Sequence, residues 1–205
     1  MTILLNRQTG QEEPADVISP IGQDDIDCYE SEWLPVLQAK VEDLKRTDQY
    51  TPDGISAHNV EDAHWQWPAK AHDRAHQLEW GSYSIRCAGR TQGLMFVNML
   101  RRCRLAAQLN EHMVYVDLLS TAPWNRPNLA QNPVYRGVGG ILMTEAILQS
   151  KDEGFVGRIG LHALPRAAEF YRTQWGMVSL GPDPHYHGLH YFEMPSERAI
   201  ELLGP

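Results

Sequence analysis

The chain has 205 residues, of which 42% are hydrophobic and 21% are charged, so its composition is that of a folded protein rather than a disordered one. Its net charge of −8 argues against general nucleic-acid binding, and its longest apolar run, residues 93–100, is far shorter than the roughly 20 residues of a membrane helix. Three cysteines at no metal-like spacing, and an N-terminus without the pattern of a signal peptide, favour a reducing, cytoplasmic location.

Residues 1–62 are predicted to form an acidic segment with one helix, packed on the rest of the chain. Residues 11–62 hold fourteen acidic residues against three basic ones. Asp24 and Asp25 can cap a helix whose apolar positions, from Trp33 to Leu44, recur at helical spacing. Pro35 indicates a kink or a second helix start. The segment is otherwise predicted to be irregular, and the turn-rich stretch 47–62 is the best linker candidate.

Residues 63–205 are predicted to form an α/β domain, so that the chain is a single domain overall. Residues 82–89 and 92–100 are predicted strands joined by a tight Gly-Arg-Thr turn, and a buried strand follows at 112–120. Apolar spacing after Val138 predicts a helix that ends at 150–151. The remaining predicted elements are a strand at 158–164, a helix at 165–175, strands at 177–180 and 189–194, and a helix at 196–203. This order is typical of a mixed α/β or α+β sheet.

A glycine-rich sequence, Tyr135-Arg136-Gly137-Val138-Gly139-Gly140, lies between a predicted strand and a predicted helix. Glycines allow close backbone approach, and the unpaired amides at a helix start suit a pyrophosphate. The pattern fits neither a Rossmann nor a Walker loop. Residues 80–144, which surround it, hold seven basic residues against two acidic ones. A plain strand-to-helix turn remains the alternative interpretation.

Residues 80–194 resemble the Gcn5-related N-acetyltransferase (GNAT) superfamily. Gly137 and Gly139 match the two small positions of that family's phosphate loop, although Val134 stands where Gln or Arg is usual. The stretches VYVDLLSTAP and PRAAEFYRTQWGM resemble the family's central strand and its closing helix. The resemblance implies a central mixed, mostly antiparallel sheet flanked by helices, with acetyl-CoA as co-substrate and no metal. The residues that it implies for coenzyme A binding are Leu119, Ser120, Tyr135, Arg136, Gly137, Val138, Gly139 and Gly140.

Direct transfer of an acyl group to an amine needs a base for the amine and a proton for the departing sulfur. By resemblance, Tyr171 protonates the thiolate; the alternative is an aromatic side chain packed beside Phe170. Asp117, an acid on a buried strand, is the predicted base, unless an arginine simply pairs with it. His112 and His162 are rivals for the same role, and His162 has the alternative of a hydrogen-bonded core histidine.

Two further groups of residues bear on substrate binding and on metals. Trp124, in the loop after the central strand, and His162 are candidates for contact with the substrate. The histidine sets at 64, 72 and 76 and at 185, 187 and 190 lack zinc-type spacing, so no metal site is predicted.

We therefore expect an acetyl-CoA-dependent N-acetyltransferase acting on the amine of a small molecule or a peptide, with no nucleic-acid and no membrane partner. The alternative is a catalytically silent acyl-CoA-binding sensor or interaction module. The acidic first sixty residues could also serve as an arm for a basic partner. The sequence leaves a homodimer open.

Overall fold

The computed structural model describes residues 2–204. The strands are β1 (Thr2–Asn6), β2 (Glu12–Ile18), β3 (Trp80–Cys87), β4 (Arg90–Asn98), β5 (Val114–Thr121), β6 (Tyr135–Arg136), β7 (Ile159–Ala163), β8 (Val178–Asp183) and β9 (Leu189–Met194). The α-helices are α1 (Gln23–Cys28), α2 (Leu34–Arg46), α3 (Pro52–Ala57), α4 (Trp67–Arg74), α5 (Val138–Asp152), α6 (Ala168–Thr173) and α7 (Ser196–Leu203).

In the described part of the chain, nine strands form one sheet in the order β6-β1-β2-β3-β4-β5-β7-β9-β8. β1 pairs antiparallel with β2 and β6, β2 with β3, and β9 with β7 and β8. β5 and β7 are parallel, and α5 lies in the connection between them, as a parallel crossover requires. The mixed, mostly antiparallel sheet with its helices confirms the predicted fold class.

The sequence located most elements after residue 80 correctly. β9 and α7 have the predicted bounds, whereas β3 and β4 each begin two residues before their predicted start. The predicted Gly-Arg-Thr turn between them is wrong, because Ala88 and Gly89 make the turn with φ values of 51° and 73°. Two successive left-handed residues suit the twist of a tight hairpin, and the chain therefore reverses earlier than predicted.

The prediction that the first sixty residues are irregular apart from one helix is wrong. β1 and β2 form a hairpin, and β2 joins the sheet beside β3 with Ala15 opposite Cys87 and Ile18 opposite Ser84. β2 carries charged residues and Pro14, so its strand signal is weak. The stretch 47–62, predicted as a linker, contains α3.

The predicted second helix start at Pro35 is confirmed. A π-helical turn, Tyr29–Trp33, separates α1 from α2, and Pro35 lies in the first turn of α2. A proline there removes no helical hydrogen bond, because the first amides of a helix have no partner within it. Tyr29 and Trp33 are buried, so the turn directs both aromatic rings into the interior.

The chain divides into two compact units. The first comprises the chain up to Leu78 together with Ser82–Met95 and Leu119–Leu142; the second comprises Glu79–Gly81, Phe96–Leu118 and the chain from Met143 onward. An apolar cluster around Leu37, Leu44 and Val60 lies in the first unit. The second unit has a cluster formed by Cys103, Met113, Tyr115 and Tyr191. The predicted division at residues 62 and 63 stays a prediction.

Candidate functional site

The glycine-rich loop leads directly into α5. Gly137 has a φ of 100°, a conformation that glycine adopts at little cost, and α5 begins at the next residue. The first backbone bond of the helix runs from the Ile141 amide to the Gly137 carbonyl at 2.9 Å. The amides of residues 138–140 therefore precede the helical ladder and have no partner within it. Together with the positive end of the helix dipole they form a surface suited to an anion.

Two glycines determine how much space surrounds this helix start. A Cβ on Gly139 would have Leu119 Cδ2, at 3.9 Å, as its nearest neighbour, so that side of the loop is open. A Cβ on Gly93, in β4, would lie 2.5 Å from Val138 Cγ1 and 3.1 Å from Leu142 Cδ1. Gly93 is thus needed for close packing of α5 on β4, a requirement that the sequence analysis missed. An unexplained glycine inside a strand was the only signal for it.

Tyr135 and Arg136 have opposite environments on the short strand β6. The Tyr135 ring is buried, its hydroxyl donates to Glu13 Oε2 at 2.5 Å, and its amide donates to Asn125 Oδ1 at 3.0 Å. The bond from Tyr135 is the main reason that the pKa of Glu13 lies below its usual value. Arg136 is exposed. Tyr135 therefore anchors the loop, and Arg136 is free to meet a ligand from the solvent side.

The parallel strands β5 and β7 pair over only part of their length. Their register covers Val114 to Val116 on β5 and ends where Val116 lies opposite Leu161, although both strands continue. On its other edge β7 pairs with β9 over its whole length, from Ile159 to Ala163. From Asp117 onward, no described residue of β7 is in register with β5. An extended ligand could therefore bond to this edge of β5 in the manner of an added strand.

Leu119 and Ser120 lie near the end of β5. A Cβ on Gly139 would lie 3.9 Å from Leu119 Cδ2, so the predicted acyl-binding strand and the glycine-rich loop are close together. The Ser120 hydroxyl is buried and donates to Asp62 Oδ2 at 2.5 Å, so this side chain is engaged within the protein. Trp124, the candidate substrate residue, lies under the Arg90 guanidinium, 3.7 Å from the ring centroid. Its indole N–H donates to Gln92 Oε1 at 2.8 Å.

In the second unit, His162 belongs to a hydrogen-bonded network. Its Nδ1 lies 2.7 Å from the Tyr115 hydroxyl and its Nε2 lies 3.0 Å from Asp183 Oδ2. Arg104 Nη1 donates to the same carboxylate oxygen at 2.5 Å, and the Tyr186 ring stacks on the imidazole at 3.6 Å. Burial is the main cause that lowers the pKa of His162. A neutral imidazole with both nitrogens bonded matches the core-histidine interpretation more closely than a base open to substrate.

The structure separates the candidate acid and base residues across the sheet of the second unit. The His162 ring lies 4.9 Å from Tyr191, and the Tyr171 ring lies 6.3 Å from Phe192. Because Tyr191 and Phe192 are consecutive in β9, they face opposite sides. Asp117 follows Tyr115 by two residues and therefore shares the face of His162. Tyr171 is buried, and burial raises the pKa of its phenol. It therefore stays protonated at neutral pH.

Within residues 2–204, no helix is long and apolar enough to cross a membrane. Among the same residues, no three His, Cys, Asp or Glu side chains are grouped so that they could hold a metal ion.

Neither a protein-family model nor a curated protein sequence matches this chain. Solved structures match it by fold. The PaiA N-acetyltransferase from Thermoplasma acidophilum, in complex with coenzyme A, has a TM-score of 0.55 at 10% identity, over 88% of this chain and 98% of that one. A putative GNAT-family acetyltransferase from Desulfovibrio desulfuricans has a TM-score of 0.52 at 10% identity, over 89% of this chain and 99% of that one. The chain has the GNAT fold. A bacterial toxin also matches, with a TM-score of 0.51 at 16% identity over 66% of this chain and 78% of that one.

The GNAT resemblance predicted from sequence is confirmed at the level of fold. The structure also shows two polar groupings that neither the sequence nor the resemblance predicted. The first is an ion pair between Asp62 and Arg126, both nearly inaccessible to solvent. The second is the network around His162. Asp62 and Arg126 are 64 residues apart, so no local sequence pattern links them.

Proposed function

We propose that this protein is an acetyl-CoA-dependent N-acetyltransferase that acylates the amine of a small molecule or a peptide. The observation that carries the proposal is the helix start at Gly137, where three amides precede the first helical hydrogen bond and a Cβ on Gly139 would meet only Leu119 Cδ2, at 3.9 Å. Such a start suits the pyrophosphate of coenzyme A. The GNAT fold and the coenzyme A complex of the similar PaiA enzyme support the same co-substrate.

The edge of β5 supplies the second part of the argument. Beyond Val116, β7 no longer pairs with β5, and backbone groups there can bind the extended arm of an acyl thioester. We assign the backbone of Leu119 and Ser120 to the thioester carbonyl, whose oxygen gains negative charge during transfer. Exposed Arg136 adds positive charge beside the phosphates.

The transfer itself balances as follows. The neutral amine nitrogen attacks the carbonyl carbon, a C–N bond forms and the C–S bond breaks. We propose that the thioester lies beside the unpaired part of β5, so that Asp117, directly or through water, takes the proton of the amine from one face of the sheet and Tyr171 gives a proton to the sulfur from the other. Because burial raises the pKa of the Tyr171 phenol, it is a weak acid, and transfer depends on a thiolate that is itself poorly solvated.

Two measurements test the function. Mass spectrometry of the purified, undenatured protein should detect co-purified coenzyme A, and thiol release from acetyl-CoA should require an added amine from a panel. Binding of coenzyme A without turnover of any amine would favour the sensor alternative. Absence of binding, measured by calorimetry, would refute the proposal.

A further inference from the structure

Arg126 is a buried cation whose hydrogen-bonding capacity is fully used. The side chain is 4% exposed, and its partner Asp62 is 8% exposed. Nε donates to the Thr121 carbonyl at 2.7 Å. Nη1 donates to the Asn59 carbonyl at 3.0 Å and to Asp62 Oδ1 at 2.5 Å. Nη2 donates to Asp62 Oδ2 and to the Ser120 hydroxyl, both at 2.7 Å. All five N–H groups of the guanidinium therefore have acceptors.

These bonds hold two distant parts of the chain against the end of β5. Ser120 and Thr121 are its last two residues, and Asn59 and Asp62 follow α3 in the N-terminal segment. The Ser120 hydroxyl also donates to Asp62, which makes a closed set of three side chains. The end of β5 is thus fixed by side chains at the point where its pairing with β7 has already stopped.

Burial of an ion pair is not by itself a reason for stability. The desolvation of two charges can exceed their attraction, and apolar replacements are often as stable. The guanidinium instead fixes the positions of its hydrogen-bond acceptors, because its donors lie in one plane at fixed angles. Here that plane reaches both a backbone carbonyl and a hydroxyl of β5, so the pair determines where the strand end lies.

We propose that Arg126 is a positioning residue for acyl transfer, which together with Asp62 holds the Ser120–Thr121 end of β5 where the thioester carbonyl must lie. The inference rests on the proposed function. It gives the N-terminal segment a role in the site, since Asp62 carries the matching charge. A displacement of about 1 Å at a reacting group can lower a rate on the order of 100-fold, so a modest shift of the strand end suffices.

The decisive variant is Arg126→Lys, which keeps the charge and removes the planar fork. We expect kcat to fall on the order of 100-fold. The coenzyme A Kd should change little, because the amides at the start of α5 are untouched. The kcat and the coenzyme A Kd are measured at a temperature well below the melting point of the variant. The concentration of folded protein is taken from the amount of coenzyme A that it binds.

Arg86→Lys is the matched control. Arg86 also pairs with a buried aspartate of the first unit, Asp25, with Nε 2.7 Å from Oδ1, but it lies on β3. We expect this control to lose melting temperature without losing kcat. If Arg126→Lys behaves in the same way, the pair is only structural and the inference is overturned.

Ser120→Ala keeps the inference testable if Arg126→Lys fails to fold. It removes one hydroxyl from the set and leaves the ion pair intact. We expect a lower kcat at an unchanged coenzyme A Kd, and an unchanged kcat would overturn the inference. A wild-type protein that neither binds coenzyme A nor acetylates an amine would refute the proposed function and this inference together. An active wild type with unaffected variants would refute the inference alone.

Discussion

Replacing Gly139 with valine tests the phosphate loop with little disturbance of the fold. A Cβ at this position meets only Leu119 Cδ2, at 3.9 Å, so the new side chain has room within the protein. Alanine there should even favour the helix, since glycine costs up to about 1 kcal/mol relative to alanine in a helix. The added methyl groups instead occupy the space beside the amides of residues 138–140. We therefore expect the binding of coenzyme A and the stability of the fold to respond separately.

The magnitude follows from the bonds that are blocked. A hydrogen bond to a charged group contributes about 1.5–3 kcal/mol. Loss of one such bond weakens Kd by roughly 10- to 150-fold. Calorimetry with coenzyme A measures this effect, and thermal unfolding should show a melting temperature near that of the wild type. Leu148→Val, a β-branched replacement at a 40%-exposed position of the same helix, is the control. Unchanged affinity in a folded Gly139→Val protein would remove the loop from the site.

Three further predictions concern the catalytic residues and the N-terminal segment. Tyr171→Phe keeps the packing against Phe192 and should lower kcat at least tenfold, since a general acid contributes about 100- to 10,000-fold; near-normal kcat with a lower melting temperature would assign the ring to packing alone. Asp117→Asn should lower kcat/KM by about 100-fold or more at an unchanged coenzyme A Kd, since a general base contributes about 100- to 10,000-fold, and an unchanged kcat/KM would transfer the role to a histidine or to water. Deletion of residues 1–60 removes β1 and β2 and leaves β3 without its partner strand, so we expect no soluble core; a soluble, coenzyme A-binding fragment would show that the rest of the sheet folds without them.

The second half of the chain was predictable because its elements are marked locally. The strands and helices after residue 80 carry apolar residues at the matching period, and the loop glycines lie between two of them. The N-terminal hairpin was not predictable in this way. β2 reads Glu-Glu-Pro-Ala-Asp-Val-Ile, and it becomes a strand by pairing with β3 rather than by its own pattern.

The polar contacts of the site were even less predictable from the sequence, because they form only in the tertiary structure. Asp62 appeared in a turn-rich stretch that resembled a linker, and Arg126 in a loop. Each became interpretable only when the fold placed their charges together, 2.5 Å apart. His162 shows the reverse case, because its two interpretations were both available from the sequence. The structure adds the partners, Tyr115 and Asp183, which occupy both ring nitrogens.

The Asp183–His162 pair predicts how stability depends on pH. Bonds from Arg104 and then His162 hold the pKa of Asp183 well below its usual value. This carboxylate therefore stabilises the fold fully above about pH 5, and the contribution is lost progressively as pH falls through the unfolded pKa of about 3.9 towards the lower folded pKa. Burial lowers the pKa of His162, so its unfolded form takes up a proton first and stability also declines as pH falls below about 6.5. His162→Gln should flatten the decline in stability that begins at about pH 6.5, and Asp183→Asn should flatten the decline at more acidic pH.

At neutral pH, Asp183→Asn should reduce the free energy of unfolding only a little, because Arg104 is 47% exposed and water can solvate its guanidinium once the carboxylate is gone. We therefore expect Asp183→Asn to lower the melting temperature only modestly at neutral pH. Thermal unfolding from about pH 2 to about pH 8 covers both declines. Asp43→Asn is the control, since the pKa of Asp43 is also lowered, by Arg46 and Lys40, but at a partly exposed position on α2 where little stability is expected to depend on it. If the Asp183→Asn profile were parallel to that of the wild type over the whole range, the low pKa of this carboxyl would not contribute to the stability of the fold.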